Sequence, residues 1–271
     1  MAQTLTTAAA TTAHPALSHP VSTPEATCVA SAPIAVPAST PWPTLSVVIP
    51  VFNEAPTLRT LVGRVLASEF VTEVLLVDDG SSDGSSSILL ELDGTPRVRV
   101  LRHSINRGKG AALRTGFAHA SSEVVVVQDA DLEYDPQDYP RLLRPFVDAK
   151  ADVVYGSRFL RGDGVRVPLV HHRFGNRLLT WCSNRLTGLD LTDMETCYKA
   201  VRRSVLQSLR LREDRFAIEP ELTAKLARVP SARMFEVPIS YDGRRHTEGK
   251  KISWRDGFAA LWAILKYRFV D

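Results

Sequence analysis

Apolar strand patterns and helical patterns alternate four times between residues 45 and 156. Uninterrupted runs of Val, Ile and Leu are typical of strands that are buried on both faces of a sheet. Such runs predict strands at residues 45–51, 74–77, 98–101, 124–127 and 152–155. The segments between them have helical spacing, as in the stretch from Lys109 to Ala120. The alternation predicts an α/β fold with a mostly parallel, doubly wound sheet and helices on both faces.

The pattern after residue 158 is less regular. Helical spacing predicts helices at residues 171–187 and 219–228, and a short apolar run predicts a strand at 234–237. A last helix is predicted from Trp254 to Phe269. The order of the strands in the sheet stays open at this point.

The first 44 residues differ in composition from the rest of the chain. They contain 11 Ala, 9 Thr, 7 Pro and 4 Ser, and Glu25 is their only formally charged side chain. Such a segment has too little apolar surface to offset its chain entropy. We therefore expect a disordered tail at residues 1–44 and one globular domain over residues 45–271. A signal peptide is disfavoured, because no Lys or Arg precedes Arg59.

The formal net charge of +3 is the sum of two halves of opposite sign. Residues 1–157 carry 11 basic and 17 acidic side chains, whereas residues 158–271 carry 22 and 13. This division suggests a cation site beside an anion site, with ordinary surface variation as the alternative. The three cysteines form neither a disulfide framework nor a paired zinc motif, which fits a reducing compartment. No run of apolar residues is long enough to span a membrane.

Polar clusters follow the predicted strands at the point where each strand ends. They are Asn53-Glu54, Asp78-Asp79, Asp129-Ala130-Asp131 and Gly156-Ser157-Arg158. Ligands of such sheets bind beyond the carboxyl ends of the strands. We therefore expect these clusters to meet at one binding site.

Asp129 and Asp131 are separated by one residue directly after a strand that is predicted to be buried. Two carboxylates this close repel each other, and burial penalises both charges. Mg²⁺ or Mn²⁺ relieves both effects, since such cations take oxygen ligands and share their coordination with substrate phosphates. Glu133 and Asp135 add further oxygens nearby. We predict a metal site here, with a solvated acidic turn as the alternative.

Lys109 lies between Gly108 and Gly110 at the predicted start of a helix. Helix N-termini attract phosphate groups, so this lysine is a candidate phosphate ligand. The alternative is a tight entry of the chain into a packed helix, which the two glycines would permit.

Several motifs resemble those of a known family. The first group is SVVIPVFNE (46–54), LVDDGSSD (76–83), NRGKGAALRTGF (106–117), QDADL (128–132) and GSR (156–158). In this order they are similar to the family 2 inverting glycosyltransferases with the GT-A fold. The second group is LTDMETCYK (191–199), FAIEPELTAKL (216–226) and YDGRRHTEGKKISW (241–254). It resembles the dolichol-phosphate mannose and polyprenyl-phosphate glucose synthases, and the resemblance covers about residues 45–268.

The resemblance implies a role for each matching position. The nucleotide-binding positions are Pro50, Phe52, Glu54, Val77 and Asp79. The metal and diphosphate positions are Asp129, Ala130, Asp131 and Glu133. Arg158 matches an arginine that meets phosphate, and Arg244 and Lys250 match basic positions on a loop that closes over the donor. Phe52 stands where many members have Tyr, and Ala217 stands where some mannosyl members have Lys, which argues against GDP-mannose.

The resemblance implies transfer of a hexose from GDP-mannose or UDP-glucose to a polyprenyl or dolichyl phosphate at the cytoplasmic membrane face. A metal on Asp131 would neutralise the leaving nucleoside diphosphate. A lipid phosphate is largely ionised at neutral pH and needs little base catalysis. A hydroxyl acceptor would need a carboxylate base, for which Asp193 and Glu195 are the candidates. Helix capping or a salt bridge is the alternative role of these two carboxylates.

The last predicted helix has one apolar stripe, formed by Trp254, Phe258, Leu261, Trp262, Leu265 and Phe269. This stripe indicates either peripheral contact with a membrane surface or packing against the core. The basic run at 244–251 lacks interleaved aromatic residues, so no nucleic-acid partner is expected. Two alternatives to a lipid-phosphate transferase remain: a family 2 enzyme with a hydroxyl acceptor, and a catalytically silent nucleotide-sugar-binding protein.

Overall fold

The predicted sheet is present in the computed structural model, which describes residues 41–160, 170–243 and 254–270. Within these ranges, the side chains of residues 170–173 and 254–256 are outside the description. The strands are β1 (Leu45–Val51), β2 (Val71–Asp78), β3 (Val98–Arg102), β4 (Val124–Val127), β5 (Val153–Ser157), β6 (Lys199–Arg202) and β7 (Met234–Pro238). The helices are α1 (Ala55–Ala67), α2 (Ser85–Leu92), α3 (Lys109–His119), α4 (Tyr139–Asp148), α5 (Val170–Thr187), α6 (Arg203–Ser208), α7 (Ile218–Leu226) and α8 (Trp254–Phe269).

The described strands form one sheet in the order β3-β2-β1-β4-β6-β5-β7. β1 is parallel to β2 and β4, β2 is parallel to β3, and β5 is parallel to β7. Only β6 runs in the opposite direction, antiparallel to its neighbours β4 and β5 among the described strands. The prediction of a mostly parallel α/β sheet is therefore confirmed, whereas β6 was not predicted.

The core lies on the central strands, as their apolar sequences require. Every residue of β4 is buried, and the Leu, Val and Ile side chains of β1 are at most 1% exposed. Helix α3 approaches this layer closely at Gly116, where an added Cβ would lie 2.3 Å from Cγ1 of Val48. The absence of a side chain at Gly116 therefore lets α3 pack directly against β1.

The strand register brings the predicted polar clusters to one edge of the sheet. Val51 pairs with Asp78, and Val48 pairs with Val127, so β1, β2 and β4 end at the same edge. The two antiparallel pairings of β6 give β5 the same direction as β4. Arg158, which follows β5, therefore lies at this edge as well.

Two further expectations were a disordered tail at the start of the chain and the absence of a membrane-spanning segment. Residues 1–40 lie outside the described residues, so the division into a tail at 1–44 and a domain at 45–271 stays a prediction. None of the helices in the described ranges has both the length and the hydropathy that a membrane span requires.

Candidate functional site

A cavity of about 440 Å³ lies at the carboxyl edge of the sheet. Eleven of the predicted site residues line it, namely Pro50, Phe52, Glu54, Asp79, Lys109, Asp129, Ala130, Asp131, Glu133, Arg158 and Glu195. Of the others, Val77 is buried within β2, and Asp193 is buried behind Arg158. Arg244 and Lys250 lie outside the described residues. The structure thus brings together candidates that are more than 100 positions apart in sequence.

Asp79 organises the loop that leads into α3. Its carboxylate accepts hydrogen bonds from the backbone N–H groups of Arg107 (2.9 Å) and Gly108 (2.7 Å). It also forms a 2.7 Å hydrogen bond with Nδ1 of His103. Gly108 has a φ of 102°, and an added Cβ would lie 2.4 Å from the carbonyl oxygen of Asp214. This close approach explains why a glycine stands at the entry to the helix.

The Lys109 ammonium is held by carboxylates of the cavity. Its Nζ lies 2.8 Å from Oδ1 of Asp129 and 3.2 Å from Oε1 of Glu219. Glu219 in turn pairs with the buried Lys199. Burial alone would lower the pKa of Lys109, but the neighbouring negative charges, that of Asp129 first, and the hydrogen bond to Asp129 together raise that pKa well above its usual range. In the described structure, Lys109 therefore neutralises Asp129 beside the proposed metal position.

Asp131 and Glu133 are the other two carboxylates of the predicted metal site. Oδ1 of Asp131 accepts a hydrogen bond from the backbone N–H of Glu133, and the Tyr241 hydroxyl donates to Oε2 of Glu133 at 2.6 Å. The described residues include no group of three or more Asp, Glu, His or Cys side chains placed to hold a metal ion. One or two carboxylates fit Mg²⁺ or Mn²⁺ when substrate phosphates and water complete the coordination.

Arg158 is held in one orientation by Asp193. Its Nε lies 2.7 Å from Oδ2 of Asp193, its Nη2 lies 2.7 Å from Oδ1, and its backbone N–H donates at 3.1 Å. Asn176 of α5 adds a further hydrogen bond to Oδ1. Burial would lower the pKa of Arg158, but Asp193 raises it well above its usual range. Asp193 is saturated by these donors, so its geometry suits a positioning residue for the arginine.

Glu195 has the properties of a group that exchanges a proton near neutral pH. It lines the cavity, and its buried Oε1 has no hydrogen-bond partner among the described residues. Burial raises the pKa of Glu195 to about 7, against the opposing charge of Lys199. Of the two carboxylates predicted as base candidates, only Glu195 has an oxygen without a partner among the described residues, because both oxygens of Asp193 accept hydrogen bonds from Arg158.

Comparison with known proteins decides the family. Residues 46–210 match the domain described as glycosyl transferase family 2. The chain belongs to glycosyl transferase family 2. This assignment confirms the resemblance that the sequence motifs indicated.

Two curated relatives of this family 2 chain carry polyprenyl phosphate in their names. An undecaprenyl-phosphate 4-deoxy-4-formamido-L-arabinose transferase of Edwardsiella ictaluri is 35% identical over 204 residues, which cover 73% of this chain and 60% of the relative. A dodecaprenyl-phosphate galacturonate synthase of Rhizobium johnstonii is 30% identical over 208 residues, covering 73% and 59%. The chain thus spans about 60% of the length of these curated relatives.

Solved structures share the fold of this family 2 chain. Glucosyl-3-phosphoglycerate synthase of Mycobacterium tuberculosis, in complex with Mn²⁺, uridine diphosphate and phosphoglyceric acid, has a TM-score of 0.63 at 20% identity. The similarity covers 84% of this chain and 80% of that chain. The complex of the same enzyme with Mg²⁺ and uridine diphosphate has a TM-score of 0.65 at 21% identity. The GT-A fold is therefore confirmed.

Several cavity residues of this family 2 chain were not among the predicted site residues. Tyr134, Cys197, Arg215, Phe216, Glu219 and Tyr241 also line the cavity. Glu219 pairs with both Lys109 and Lys199. One feature of the sequence indicates this pairing: Lys199 lies within an otherwise apolar and aromatic stretch at 197–201. A buried lysine requires a carboxylate partner, so this pattern predicts a nearby Glu or Asp, which the structure identifies as Glu219.

Proposed function

We propose that the protein transfers a hexose from a nucleotide sugar to a polyprenyl phosphate, with inversion at the anomeric carbon. The observation that carries this proposal is the arrangement of opposite charges in one cavity. Asp131 and Glu133 offer oxygen ligands to a cation, and Arg158, held by Asp193, offers a fixed positive charge to a phosphate. The names of both curated relatives support a polyprenyl phosphate as the acceptor.

Each charged group has a defined task in this proposal. A divalent cation bound by Asp131 and Glu133 would stabilise the negative charge that develops on the leaving nucleoside diphosphate. Arg158 would bind the acceptor phosphate and orient it toward the sugar, since a guanidinium forms two parallel hydrogen bonds to such a group. The acceptor phosphate is largely ionised at neutral pH and can attack without a protein base.

The donor is proposed to be UDP-glucose or GDP-mannose, with the base bound near Phe52 and Asp79. The two curated relatives are named for different sugars, so their names do not select one. Ala217 in place of the lysine of some mannosyl members weighs against GDP-mannose. We propose that the reaction takes place at the cytoplasmic face of a membrane, where a lipid phosphate and a soluble nucleotide sugar can meet.

A hydroxyl acceptor is the second candidate, and Glu195 is the observation that favours it. A carboxyl group with a pKa of about 7 and an unpaired Oε1 in the cavity is suited to remove a proton from an attacking hydroxyl. Under the first candidate, Glu195 would instead accept a hydrogen bond from a sugar hydroxyl.

A transfer assay with organic extraction tests the proposal. Purified protein is incubated with Mn²⁺ or Mg²⁺ and radiolabelled UDP-glucose or GDP-mannose, with and without detergent-solubilised polyprenyl phosphate. Label is expected in the organic phase only when both the lipid phosphate and the metal are present. Absence of label with either donor would count against the lipid-phosphate proposal. Nucleotide binding without transfer to any acceptor would instead favour a silent nucleotide-sugar-binding protein.

A further inference from the structure

Helices α5 and α8 pack against each other and expose an apolar face to solvent. We call this surface the α5–α8 face. From α5 it includes Phe174, Leu178 and Trp181, and from α8 it includes Phe258, Trp262, Leu265 and Phe269. Trp181 is 63% exposed, Trp262 is 68% exposed and Phe269 is 81% exposed. Large aromatic side chains with this exposure, grouped on two adjacent helices, mark an interaction surface.

The exposed row of α8 is distinct from the row that packs the domain. Ala260, Ala263, Ile264 and Tyr267 form the buried row. The exposed row recurs at the same helical spacing on the other side of the helix. The apolar stripe predicted for this helix therefore contains residues that the core does not need. Core packing, one of the two roles predicted for the stripe, does not account for the exposed row.

The charge of the two helices indicates what the face contacts. Together α5 and α8 contain six basic residues and one acidic residue, Asp256. Arg177, Arg185 and Arg268 are exposed. Aromatic rings that enter the headgroup region, combined with arginines that meet anionic headgroups, are the combination found where helices lie on membrane surfaces.

Helix α5 also connects this face to the cavity. On its inner side, Asn176 hydrogen-bonds Asp193, and the Thr180 hydroxyl accepts a hydrogen bond from the backbone N–H of Met194. Asp193 in turn holds Arg158. The helix that presents Trp181 to solvent therefore also supports the loop that positions the arginine of the site.

We propose that the α5–α8 face docks on the surface of a bilayer that contains anionic phospholipids. Docking rests on the proposed function in one respect, because a lipid phosphate would then reach Arg158 from the same surface. The apolar side chains lie among the headgroups and upper acyl chains, and the exposed arginines contact lipid phosphates. The binding itself requires no polyprenyl phosphate and no nucleotide.

Vesicle flotation tests this proposal separately from the transfer reaction. The full chain is mixed with vesicles of phosphatidylcholine and phosphatidylglycerol that contain no polyprenyl phosphate, and with vesicles of phosphatidylcholine alone. The protein is expected to float with the anionic vesicles. The double variant Trp181→Ser/Trp262→Ser should bind roughly tenfold or more weakly. Replacing Arg177 and Arg268 by Gln should weaken binding by roughly fivefold per charge, and only on anionic vesicles.

A matched pair of leucine variants provides the control. Leu178→Ser lies on the α5–α8 face, whereas Leu90→Ser changes a similarly exposed leucine of α2. Only Leu178→Ser should reduce flotation, and all variants should keep the wild-type melting temperature. Absence of flotation, or flotation that the tryptophan variants leave unchanged, would overturn the proposal. A dimer in sedimentation analysis that these variants dissociate, without vesicle binding, would identify a second copy as the occupant. Failure of sugar transfer with intact flotation would overturn only the proposed function.

Discussion

Asp131 lines the cavity, whereas Asp135, four residues later, accepts a hydrogen bond from the backbone N–H of Gln137 and caps a short 3₁₀ turn. Asp131→Asn removes a metal-binding charge, so we expect transfer to fall at least about a hundredfold, in the range typical of losing one electrostatic group. Asp135→Asn makes the same chemical change but keeps a good capping residue, and it should retain near wild-type activity. Metal-dependent transfer rates of the two variants provide the measurement. Equal rates would remove Asp131 from the proposed metal site.

The pKa of Glu195, about 7, gives stability a specific dependence on pH. The unfolded carboxyl has a pKa near 4.5. Because the folded value is higher, the favourable contribution is complete below pH 4.5 and is lost as the pH rises through 7. Glu195→Gln should match the wild type at pH 4 and be more stable by about 3 kcal/mol at pH 8. Thermal unfolding at both pH values is the measurement, and a Glu195→Gln variant that keeps the wild-type pH dependence would contradict the assignment.

The Glu195→Gln variant also separates the two acceptor candidates. Transfer to a lipid phosphate should persist in it, since that acceptor needs no protein base. Transfer to a hydroxyl acceptor should fall by a factor of about 100 to 10,000. A wild-type rate with a hydroxyl acceptor would exclude Glu195 as the base.

Asp193 and Asp152 both pair with arginines, but only Asp193 is fully buried. Asp193→Ala leaves the Arg158 charge without its partner and should cost about 3–5 kcal/mol of unfolding free energy. Asp152→Ala removes a more exposed pair and should cost much less, about 1 kcal/mol. Denaturant unfolding compares the two. For the milder Asp193→Asn, the KM for the acceptor should rise more than the KM for the donor, and an unchanged acceptor KM would remove the positioning role.

Residue patterns identified the carboxylates of the site but not their partners. The position of Asp79, Asp129 and Asp131 after strands follows from local sequence, because parallel strands end at one edge. The pair between Lys109 and Asp129 joins residues 20 positions apart. Its formation depends on how α3 packs beside β4, which no local pattern specifies.

At the scale of elements, the entry into α3 depends on Gly108. Gly108→Ala would place a Cβ 2.4 Å from the Asp214 carbonyl oxygen and force a strained φ, so it should lower the melting temperature and weaken nucleotide binding. Gly63 of α1 has open space around it, and Gly63→Ala should instead stabilise the protein by about 1 kcal/mol. Thermal shift measurements with and without nucleotide sugar compare the two variants. A destabilisation by both would show that the close approach at Gly108 is not the cause.

Most elements were predictable because their patterns are long or strongly apolar. β1, β4 and α8 have the bounds that were predicted, and β2 extends three residues earlier and one later. β6 was missed because it has four residues, includes Lys199 and Arg202, and runs antiparallel between two other strands. Its sequence, KAVR, shows neither an apolar run nor an alternation of apolar and polar residues. Only its pairing with β4 and β5 makes it a strand.

At the scale of the whole molecule, the charge division of the sequence corresponds to a division within the cavity. The acidic first half supplies Asp129, Asp131 and Glu133, and the basic second half supplies Arg158 and Arg215. The halves are not purely of one sign at the site, because the first half also supplies Lys109 and the second half also supplies Glu195 and Glu219. Lys109 neutralises Asp129, and Asp193 holds Arg158. The net charge of each half could be predicted from composition, whereas these ion pairs could not.

The central claim is that the acceptor is a lipid phosphate, and one comparison tests it most directly. Sugar transfer from a labelled nucleotide sugar is measured with a polyprenyl phosphate and with the polyprenol of the same chain length, under identical detergent and metal conditions. The account predicts label in the lipid extract with the phosphate and none above background with the alcohol. Label that enters the polyprenol at an equal or higher rate would contradict it.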